Sequence, residues 1–165
     1  MKQGTINRVA VLGRGGAGKS TLARRLALGL DLPLVELDQL FWQNGSEPPP
    51  SSQWLATETA LISEARWVID GDLGPYEVNR RARLAAADTV IILDFPLWLC
   101  AWRSLRRGRE NAVYWRWVIS YRRKSLPPIL DDATSLQTPV SIHRLRNQHQ
   151  ADRLVDSLIS VHGSR

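Results

Sequence analysis

Residues 13–20 have the clearest chemical pattern of the sequence, Gly-Arg-Gly-Gly-Ala-Gly-Lys-Ser. The glycine and lysine spacing is that of the phosphate-binding P-loop, G-x-x-x-x-G-K-[ST]. Glycines allow the backbone to curl with its N–H groups pointing inward, which makes a nest for an anion. The pattern therefore predicts a site for the phosphates of a nucleotide.

Two side chains of this loop are expected to have separate tasks. Lys19 is predicted to reach the β- and γ-phosphates, and Ser20 is predicted to hold Mg²⁺. Backbone N–H groups at the start of the following helix add further donors for the phosphates. The predicted nucleotide-binding residues are Gly13, Gly15, Gly16, Ala17, Gly18, Lys19, Ser20 and Thr21. ATP and Mg²⁺ are thus the expected cofactors.

The segments on either side of the loop support this interpretation. Residues 6–12 have the composition of a buried β-strand. Residues 21–30 place leucines four residues apart on one face, which is typical of an amphipathic helix. A strand, a glycine-rich turn and a helix in this order are what a P-loop requires.

Three aspartates follow other predicted strands. Asp38 comes after residues 34–37, Asp70 after residues 67–69, and Asp94 after residues 89–93. Strands that alternate with helices predict a parallel sheet with helices on both faces. Ligands of such sheets bind beyond the carboxyl ends of the strands, so we expect the three aspartates to lie with Gly13 along one edge.

The remaining elements are predicted from periodicity and turn residues. One helix is expected to begin at Ser51 or Ser52, with that serine as its N-cap. Further helices are expected over residues 76–87, 96–107, 111–124 and 148–160. Pro127 and Pro128 are expected to interrupt the chain, with polar loop over residues 131–138. Residues 140–142 are a weak candidate for the last strand.

Composition limits the class of protein. A chain of 165 residues with 44% hydrophobic residues is expected to form one domain with a sizeable core. The net charge is +6, and most of the excess lies in residues 103–124, where Arg and Lys face one acid, Glu110. This segment suggests either a polyanionic ligand or a solvated basic face, and charge alone favours neither.

Other features of the composition concern location. One cysteine, Cys100, excludes an intramolecular disulfide and is typical of a reducing compartment. The sequence opens without a signal-peptide pattern, and its longest apolar run, residues 95–102, is too short to span a bilayer. We therefore expect a cytoplasmic protein that does not insert into membranes.

Three segments resemble a known family. They are Leu-Asp-Gln-Leu-Phe-Trp at 37–42, Trp-Val-Ile-Asp-Gly-Asp at 67–72 and Ala-Asp-Thr-Val-Ile-Ile-Leu-Asp at 87–94. In this order and spacing they are similar to the adenylate-kinase-like P-loop proteins called DNA topology modulation proteins. The resemblance extends from about residue 6 to residue 130. The family name describes an indirect effect and does not itself establish DNA binding.

The resemblance implies an α/β fold of three αβα layers around a five-stranded parallel sheet. It also implies a single kinase-like domain over residues 1–165. Within it, residues of about 40–66 form an acceptor-binding helical segment, and residues of about 103–124 form a short arginine-rich lid. Members usually have an insertion in the lid with Arg-Pro-Asp and Gly-Cys-Pro-Glu, whereas here residues 108–111 lead almost directly into the next helix.

The resemblance also implies roles for individual residues. Asp70 matches the strand-end carboxylate that holds the metal ion in the family. Asp94 is the other candidate for this role, or else it caps the helix that follows it. Asp38 matches the strand-end aspartate that faces the acceptor hydroxyl in shikimate- and gluconate-type kinases, and in that position it can act as a base. The alternative is that Asp38 is a structural cap at the end of its strand. The Phe-Pro-Arg turn of true adenylate kinases is absent, so AMP is not assigned as acceptor.

Several cations and aromatic residues are candidates for substrate contacts. Arg103 and Arg107 lie one helical turn apart and share a face of their helix. They are predicted to be lid arginines that close on the transferred phosphoryl group. The alternative is that they belong to a solvated basic helix. Arg83 matches a recurrent family arginine and is either an acceptor ligand or a surface residue. Trp42 and Trp54 are expected to flank the acceptor pocket. The tryptophans expected in the core are Trp67, Trp98, Trp102, Trp115 and Trp117.

The leading hypothesis is an ATP- and Mg²⁺-dependent kinase of a nucleoside, nucleotide or similar small acceptor. A first alternative is a weakly hydrolytic ATP-binding regulator that contacts nucleic acid or a protein partner; we regard nucleic acid as the less favoured partner. A second alternative is a kinase of a metabolite that is not a nucleotide, such as a sugar acid. The sequence does not define the acceptor or the oligomeric state.

Overall fold

A computed structural model describes residues 5–45, 47–108 and 111–163. It contains one five-stranded sheet in the order β2-β3-β1-β4-β5, in which every neighbouring pair is parallel. The strands are β1 (Arg8–Gly13), β2 (Leu34–Glu36), β3 (Trp67–Asp70), β4 (Thr89–Leu93) and β5 (Ser141–Leu145). The predicted five-stranded parallel sheet is confirmed.

Eight α-helices and a short 3₁₀ helix, Gly74–Tyr76, connect these strands within the described residues. The α-helices are α1 (Lys19–Gly29), α2 (Leu37–Phe41), α3 (Ser51–Ser63), α4 (Arg80–Ala86), α5 (Leu97–Arg107), α6 (Ala112–Lys124), α7 (Leu126–Thr134) and α8 (Gln148–Gly163). The predicted lid region corresponds to the end of α5 and all of α6. Residues 109 and 110, and with them the acid Glu110, lie outside the described residues.

The sheet separates two hydrophobic clusters, because successive side chains of a strand point to opposite faces. On one face Val9 and Val11 of β1 pack with Leu26 of α1 and Val155 of α8. On the other face Ala10 and Leu12 pack with residues of α2, α3, α4, α6 and α7. The molecule is therefore a three-layer αβα arrangement, as predicted. The carboxyl ends of the strands, where Gly13 and the aspartates follow, share one edge of the sheet.

Two predicted elements are wrong. The segment with Pro127 and Pro128, where an interruption and a loop were expected, forms helix α7. The prolines are tolerated because both lie in the first turn, where a backbone N–H has no partner within the helix. No side chain caps α3, whose N-cap position is Pro50 rather than a serine. Ile129 and Ala133 of α7 are buried, so packing against the sheet stabilises a segment whose composition resembles a loop.

The predicted core is correct for Trp67, which is 1% exposed, but wrong for two other tryptophans. Trp98 and Trp102 of α5 are 71% and 52% exposed. Both lie four residues apart on the outer face of α5, and the guanidinium of Arg106 stacks 4.6 Å from the Trp102 ring centroid. Trp115 and Trp117 are only partly buried.

Within the described ranges, no helix is both long enough and apolar enough to cross a bilayer.

Candidate active site

The glycine-rich loop lies between β1 and α1 and curls as the motif predicts. Gly16 and Gly18 have φ angles of 79° and 93°, a region that L-residues with a side chain rarely adopt. Gly18 directly precedes α1, so the free N–H groups of the first turn open toward the loop. The N–H of Ala17 donates to the carbonyl of Arg14 at 3.1 Å, which closes the turn.

Helices α5 and α6 press on the outer side of the loop. A Cβ atom added at Gly15 would clash with the Tyr114 ring, and one added at Gly16 would clash with the Cys100 carbonyl. The hydroxyls of Ser104 and Tyr114 are hydrogen-bonded at 2.7 Å just behind these glycines. Helices α5 and α6 therefore pack directly against the backbone of the phosphate loop.

A cleft of about 720 Å³ opens on the loop. Its lining includes Lys19, Ser20 and Thr21 together with Asp38 and Trp42. The structure thus brings six of the eight predicted nucleotide-binding residues to one cavity with two of the predicted acceptor residues, but not with Arg83. Lys19 Nζ lies 3.4 Å from the Arg14 carbonyl and 5.9 Å from the Trp117 ring centroid.

Asp70 ends β3 next to Ser20 and Lys19, and the geometry fits a magnesium site. Burial raises the pKa of Asp70, while Lys19 and the adjacent Ser20 hydroxyl act in the opposite direction. One of its carboxylate oxygens is buried and has no hydrogen-bond partner in the part of the chain that the structure describes. Such an oxygen beside a hydroxyl is a suitable oxygen-ligand pair for Mg²⁺, which retains several waters. No group of three His, Cys, Asp or Glu among the described residues is placed to hold a metal ion.

Asp38 lies in the first turn of α2, two residues beyond β2, rather than at the end of a strand. It is open to solvent in the cleft, yet the surrounding walls raise its pKa by desolvation. Lys19 opposes this rise, whereas the carboxylates of Asp70, Asp72 and Glu77 add to it. A carboxylate that faces the cleft from the side opposite the phosphate loop can accept a proton from a hydroxyl compound.

Asp94, the rival metal ligand, is held in an ion-pair network instead. It is 3% exposed, and its two oxygens accept hydrogen bonds from Arg122 of α6 at 2.8 Å and from Arg144 of β5 at 2.7 Å. The alternative that Asp94 caps α5 is wrong, since no side chain caps that helix. Asp94 therefore joins α6 to the sheet.

Arg83 differs from both expectations for it. The side chain is fully buried in α4, and it forms ion pairs with Glu58 of α3 and with Glu77 at 2.9 Å. The guanidinium is neither at the surface nor among the residues that line the cleft. The prediction of a surface arginine is thus wrong, and the guanidinium is occupied by protein carboxylates.

Arg103 and Arg107 both face the phosphate loop, at a second cleft of about 270 Å³. Arg103 donates to the Ala17 carbonyl at 3.3 Å and to Gln148 at 3.2 Å. Arg107 donates to the Tyr114 hydroxyl at 3.0 Å, and it lines the larger cleft as well. The two arginines therefore lie on the inner side of α5, so the alternative of a purely solvated basic helix does not describe them.

The aromatic residues of the larger cleft were predicted only in part. Trp42 lines it as expected, but Trp54 is 3% exposed and packs edge-on against Phe41 in the core, with centroids 4.9 Å apart. Sequence reasoning missed Tyr76 and Tyr114 and assigned Trp117 to the core, although all three line the cleft. The three-residue spacing of Tyr114 and Trp117, one helical face, was the available signal.

Two charged residues were also missed. Asp72 is 5% exposed and lines the cleft, two residues after Asp70. Arg14, a variable position of the loop pattern, is 2% exposed and lies 5.6 Å from the Tyr121 ring centroid. The segment Asp-Gly-Asp gave a signal for Asp72, whereas nothing in the local sequence indicates that Arg14 folds inward.

The chain is similar in sequence to two curated kinases. The chain is 31% identical to an adenylate kinase of Mycobacterium leprae (strain Br4923) over 160 residues, which are 93% of this chain and 76% of that protein. It is 36% identical to a cytidylate kinase of Granulibacter bethesdensis over 99 residues, which are 53% of this chain and 46% of that protein. No protein-family model matches the chain.

The fold has a solved counterpart in a shikimate kinase from Acinetobacter baumannii in complex with shikimate. The TM-score is 0.70 at 18% identity, with 97% of this chain and 94% of that chain covered. This likeness concerns the fold, whereas the identity to the M. leprae protein extends over nearly the whole chain. With its phosphate loop and its parallel sheet, the chain belongs to the adenylate kinase family of P-loop kinases.

Proposed function

We propose that this protein is an ATP- and Mg²⁺-dependent phosphotransferase that acts on a small hydroxyl or phosphate acceptor. One observation supports it above all: Lys19 and Ser20 of the phosphate loop face Asp38 across a single cleft of about 720 Å³. Phosphoryl transfer needs two reactants in line more than it needs covalent chemistry. This cleft has room and polar groups for both.

Most of the predicted site residues have a task in this proposal, whereas Arg83 has none. The loop N–H groups and Lys19 bind the β- and γ-phosphates, while Ser20 and Asp70 hold the metal ion. Bound Mg²⁺ supplies positive charge between phosphate oxygens. Asp38 orients the acceptor hydroxyl and accepts its proton. Arg103 and Arg107 add positive charge where the negative charge of the transferred group spreads.

The same proposal covers the organisation of the chain. Residues 1–165 act as one kinase-like domain, with residues of about 40–66 on the acceptor side and residues of about 103–124 as the lid. The protein works in the cytoplasm, with ATP and a small molecule as its ligands. The resemblance to DNA topology modulation proteins fits this architecture, and it adds no acceptor.

The test is ADP release from ATP and Mg²⁺ in the presence of nucleosides, nucleoside monophosphates and sugar acids. We expect one class of acceptor to stimulate release strongly, and Lys19→Ala to abolish both release and ATP binding. Arg153→Ala, which removes an exposed cation of α8, serves as the control for charge loss. Tight ATP binding with no stimulation by any acceptor would contradict the proposal.

A second candidate function is an ATP-binding regulator that contacts nucleic acid. It is favoured by Arg116 and Lys124, which line another cleft of about 710 Å³ beside α6. Binding through several phosphate contacts would fall steeply with salt concentration, because counterions are released. A kinase is expected to bind duplex DNA only weakly, so titrations at 50 and 200 mM salt separate the two functions.

A further inference from the structure

The charges of the larger cleft are unevenly distributed. Its cations, Lys19, Arg24 and Arg107, belong to α1 and α5, next to the phosphate loop. Arg24 is already paired with Glu36 at 2.5 Å. The acidic residues that line the same cleft are Asp38 and Asp72. An acceptor bound beside them lies against two carboxylates.

One carboxylate oxygen of Asp72 is left without a partner. Its Oδ1 accepts a hydrogen bond from the backbone N–H of Gly74 at 3.0 Å. Its Oδ2 is buried and has no hydrogen-bond partner among the described residues, although Asp72 lines the cleft and is 5% exposed. A buried carboxylate oxygen without a donor is costly, so a ligand that supplies an N–H or O–H group would satisfy it.

Arg83, which the family resemblance implies as a possible ligand of the acceptor, is not available for that role. Both terminal nitrogens of Arg83 are occupied by Glu58 and Glu77, and the side chain is fully buried. Glu77 itself acts with Asp72 to raise the pKa of Asp38. Lys19 opposes these carboxylates, but Arg83 is not available to neutralise an anionic group of the acceptor.

Aromatic rings form the rest of this side. Trp42 and Tyr76 meet edge-on with centroids 5.5 Å apart, and Trp117 lines the same cleft from α6. Trp42 is 36% exposed, so part of its ring is open to a ligand. Such rings bind flat or apolar ring faces, and they also attract cations.

We propose that the acceptor is a hydroxyl compound without a negative charge, neutral or cationic, that places a ring against Trp42 and donates a hydrogen bond to Asp72. A nucleoside and an amino sugar both have this chemistry, whereas a nucleoside monophosphate and a sugar acid do not. The inference rests on the proposed phosphotransferase function, and it narrows the acceptor within it.

The cleft beside α6 could instead receive an acceptor with an anionic group. Arg116 and Lys124 line it beyond Trp117, and Asp72 borders both clefts. An acceptor with an anionic group directed outward would meet these cations. Matched ligands that differ only in the anionic group distinguish the two arrangements.

The experiment compares such pairs by calorimetry in the presence of a non-hydrolysable ATP analogue and Mg²⁺. The pairs are adenosine with AMP, cytidine with CMP, and shikimate methyl ester with shikimate; an amino sugar and the corresponding sugar acid form a fourth. We expect at least one uncharged or cationic member to bind at least tenfold more tightly than its anionic partner. Tighter binding of the anionic member in any pair, or no binding of any uncharged or cationic member, would overturn the inference.

Two variants connect the preference to the residues. Trp42→Ala is expected to weaken binding of the preferred acceptor at least tenfold with the affinity for the ATP analogue unchanged. Trp98→Ala removes another exposed tryptophan, far from the cleft lining, and is expected to change neither affinity. Asp72→Asn is expected to act like Trp42→Ala, with Asp131→Asn on the exposed side of α7 as its control. Unchanged acceptor affinity in Trp42→Ala would contradict the inference.

Turnover measured with the same ligands separates this inference from the proposed function. Transfer to AMP or CMP in preference to the nucleoside would contradict the acceptor class and leave the phosphotransferase in place. Selective binding of uncharged or cationic acceptors without any ADP release would leave the acceptor class in place and contradict the phosphotransferase.

Discussion

In the proposed reaction Asp38 is the base that accepts the proton of the acceptor, and its surroundings determine when it is ionised. Desolvation by the cleft walls raises its pKa above the ordinary value of 3.8, and three neighbouring carboxylates act in the same direction. Lys19 opposes them. A base works only when deprotonated, so activity is lost as the pH falls through this raised pKa.

The first prediction concerns pH. We expect kcat to rise with pH along an acidic limb whose midpoint lies above 3.8. Asp38→Asn is expected to remove this limb and to lower kcat by about 10²–10⁴-fold, the usual contribution of a general base. The measurement is ADP release as a function of pH, at saturating acceptor. An identical acidic limb in Asp38→Asn would show that another group titrates.

The second prediction uses two adjacent glycines. Gly16→Ala places a side chain at φ 79° and against the Cys100 carbonyl, a backbone atom that cannot swing away. We expect a loss of about 1–3 kcal/mol in the free energy of unfolding, together with weaker ATP binding. Gly15→Ala has no such φ, and its clash is with the Tyr114 side chain.

A second substitution distinguishes these two cases. Gly15→Ala combined with Tyr114→Ala is expected to recover stability relative to Gly15→Ala alone, measured by urea denaturation. Gly16→Ala combined with Tyr114→Ala is expected to show no recovery. Equal recovery in both pairs would mean that the contact with the lid helix, rather than the backbone conformation, limits Gly16.

At the scale of elements, helices α3 and α4 are joined by a buried ion pair. Glu58 and Arg83 have fully buried side chains, and Arg83 also contacts Glu77. Burial raises the pKa of Glu58, although Arg83 opposes that rise. The carboxylate therefore depends on Arg83 for its ionised form.

The third prediction follows from this dependence. Arg83→Met leaves buried Glu58 without its partner, and we expect a loss of about 3–5 kcal/mol in the free energy of unfolding. Adding Glu58→Leu is expected to recover much of this loss, since a buried pair can be replaced by apolar packing. Urea denaturation of the single and double variants measures both effects.

An exposed pair supplies the control for this prediction. Arg25 and Asp152 join α1 to α8, with side chains 40% and 41% exposed. Arg25→Met is expected to cost only about 0–1 kcal/mol, because water screens such pairs. A comparable loss in both arginine variants would show that Arg83 contributes only packing of its stem.

Elements were predictable from sequence where local pattern and tertiary packing agree. The phosphate loop, β1, β4 and α5 follow from turn chemistry and periodicity alone. Helix α7 does not, because its prolines resemble a break and its stability comes from buried Ile129 and Ala133. The predictions of burial for Trp98 and Arg83 are wrong in opposite senses, since the apolar Trp98 is exposed and the charged Arg83 is buried. Such burial depends on partners distant in sequence, which no local window contains.

At the scale of the whole molecule, ligand binding and stability are linked. A ligand that binds only the folded state stabilises it by about 2.7 kcal/mol at one hundred times its Kd. For a chain of this size we expect ATP with Mg²⁺ to raise Tm by about 5–10 °C at that concentration. Differential scanning calorimetry with and without the nucleotide measures this fourth prediction.

The controls for the thermal shift separate the nucleotide from the metal. Lys19→Ala is expected to abolish the shift, whereas Arg153→Ala is expected to keep it. Asp70→Asn is expected to retain a shift with ATP alone and to lose the additional effect of Mg²⁺. A full shift in Lys19→Ala would contradict the role of the phosphate loop.

The two arginine contacts of Asp94 have a mechanical consequence. Arg122 lies near the end of α6, so its ion pair with Asp94 tethers the carboxyl end of this helix to the sheet. Thirteen helical residues make a lever of about 20 Å. Any tilt of α6 is then a rotation about a fixed end, and one of about 10° displaces its start by about 3 Å. In such a tilt Tyr114, in the first turn, would move much farther than Tyr121, which lies next to the pivot at Arg122.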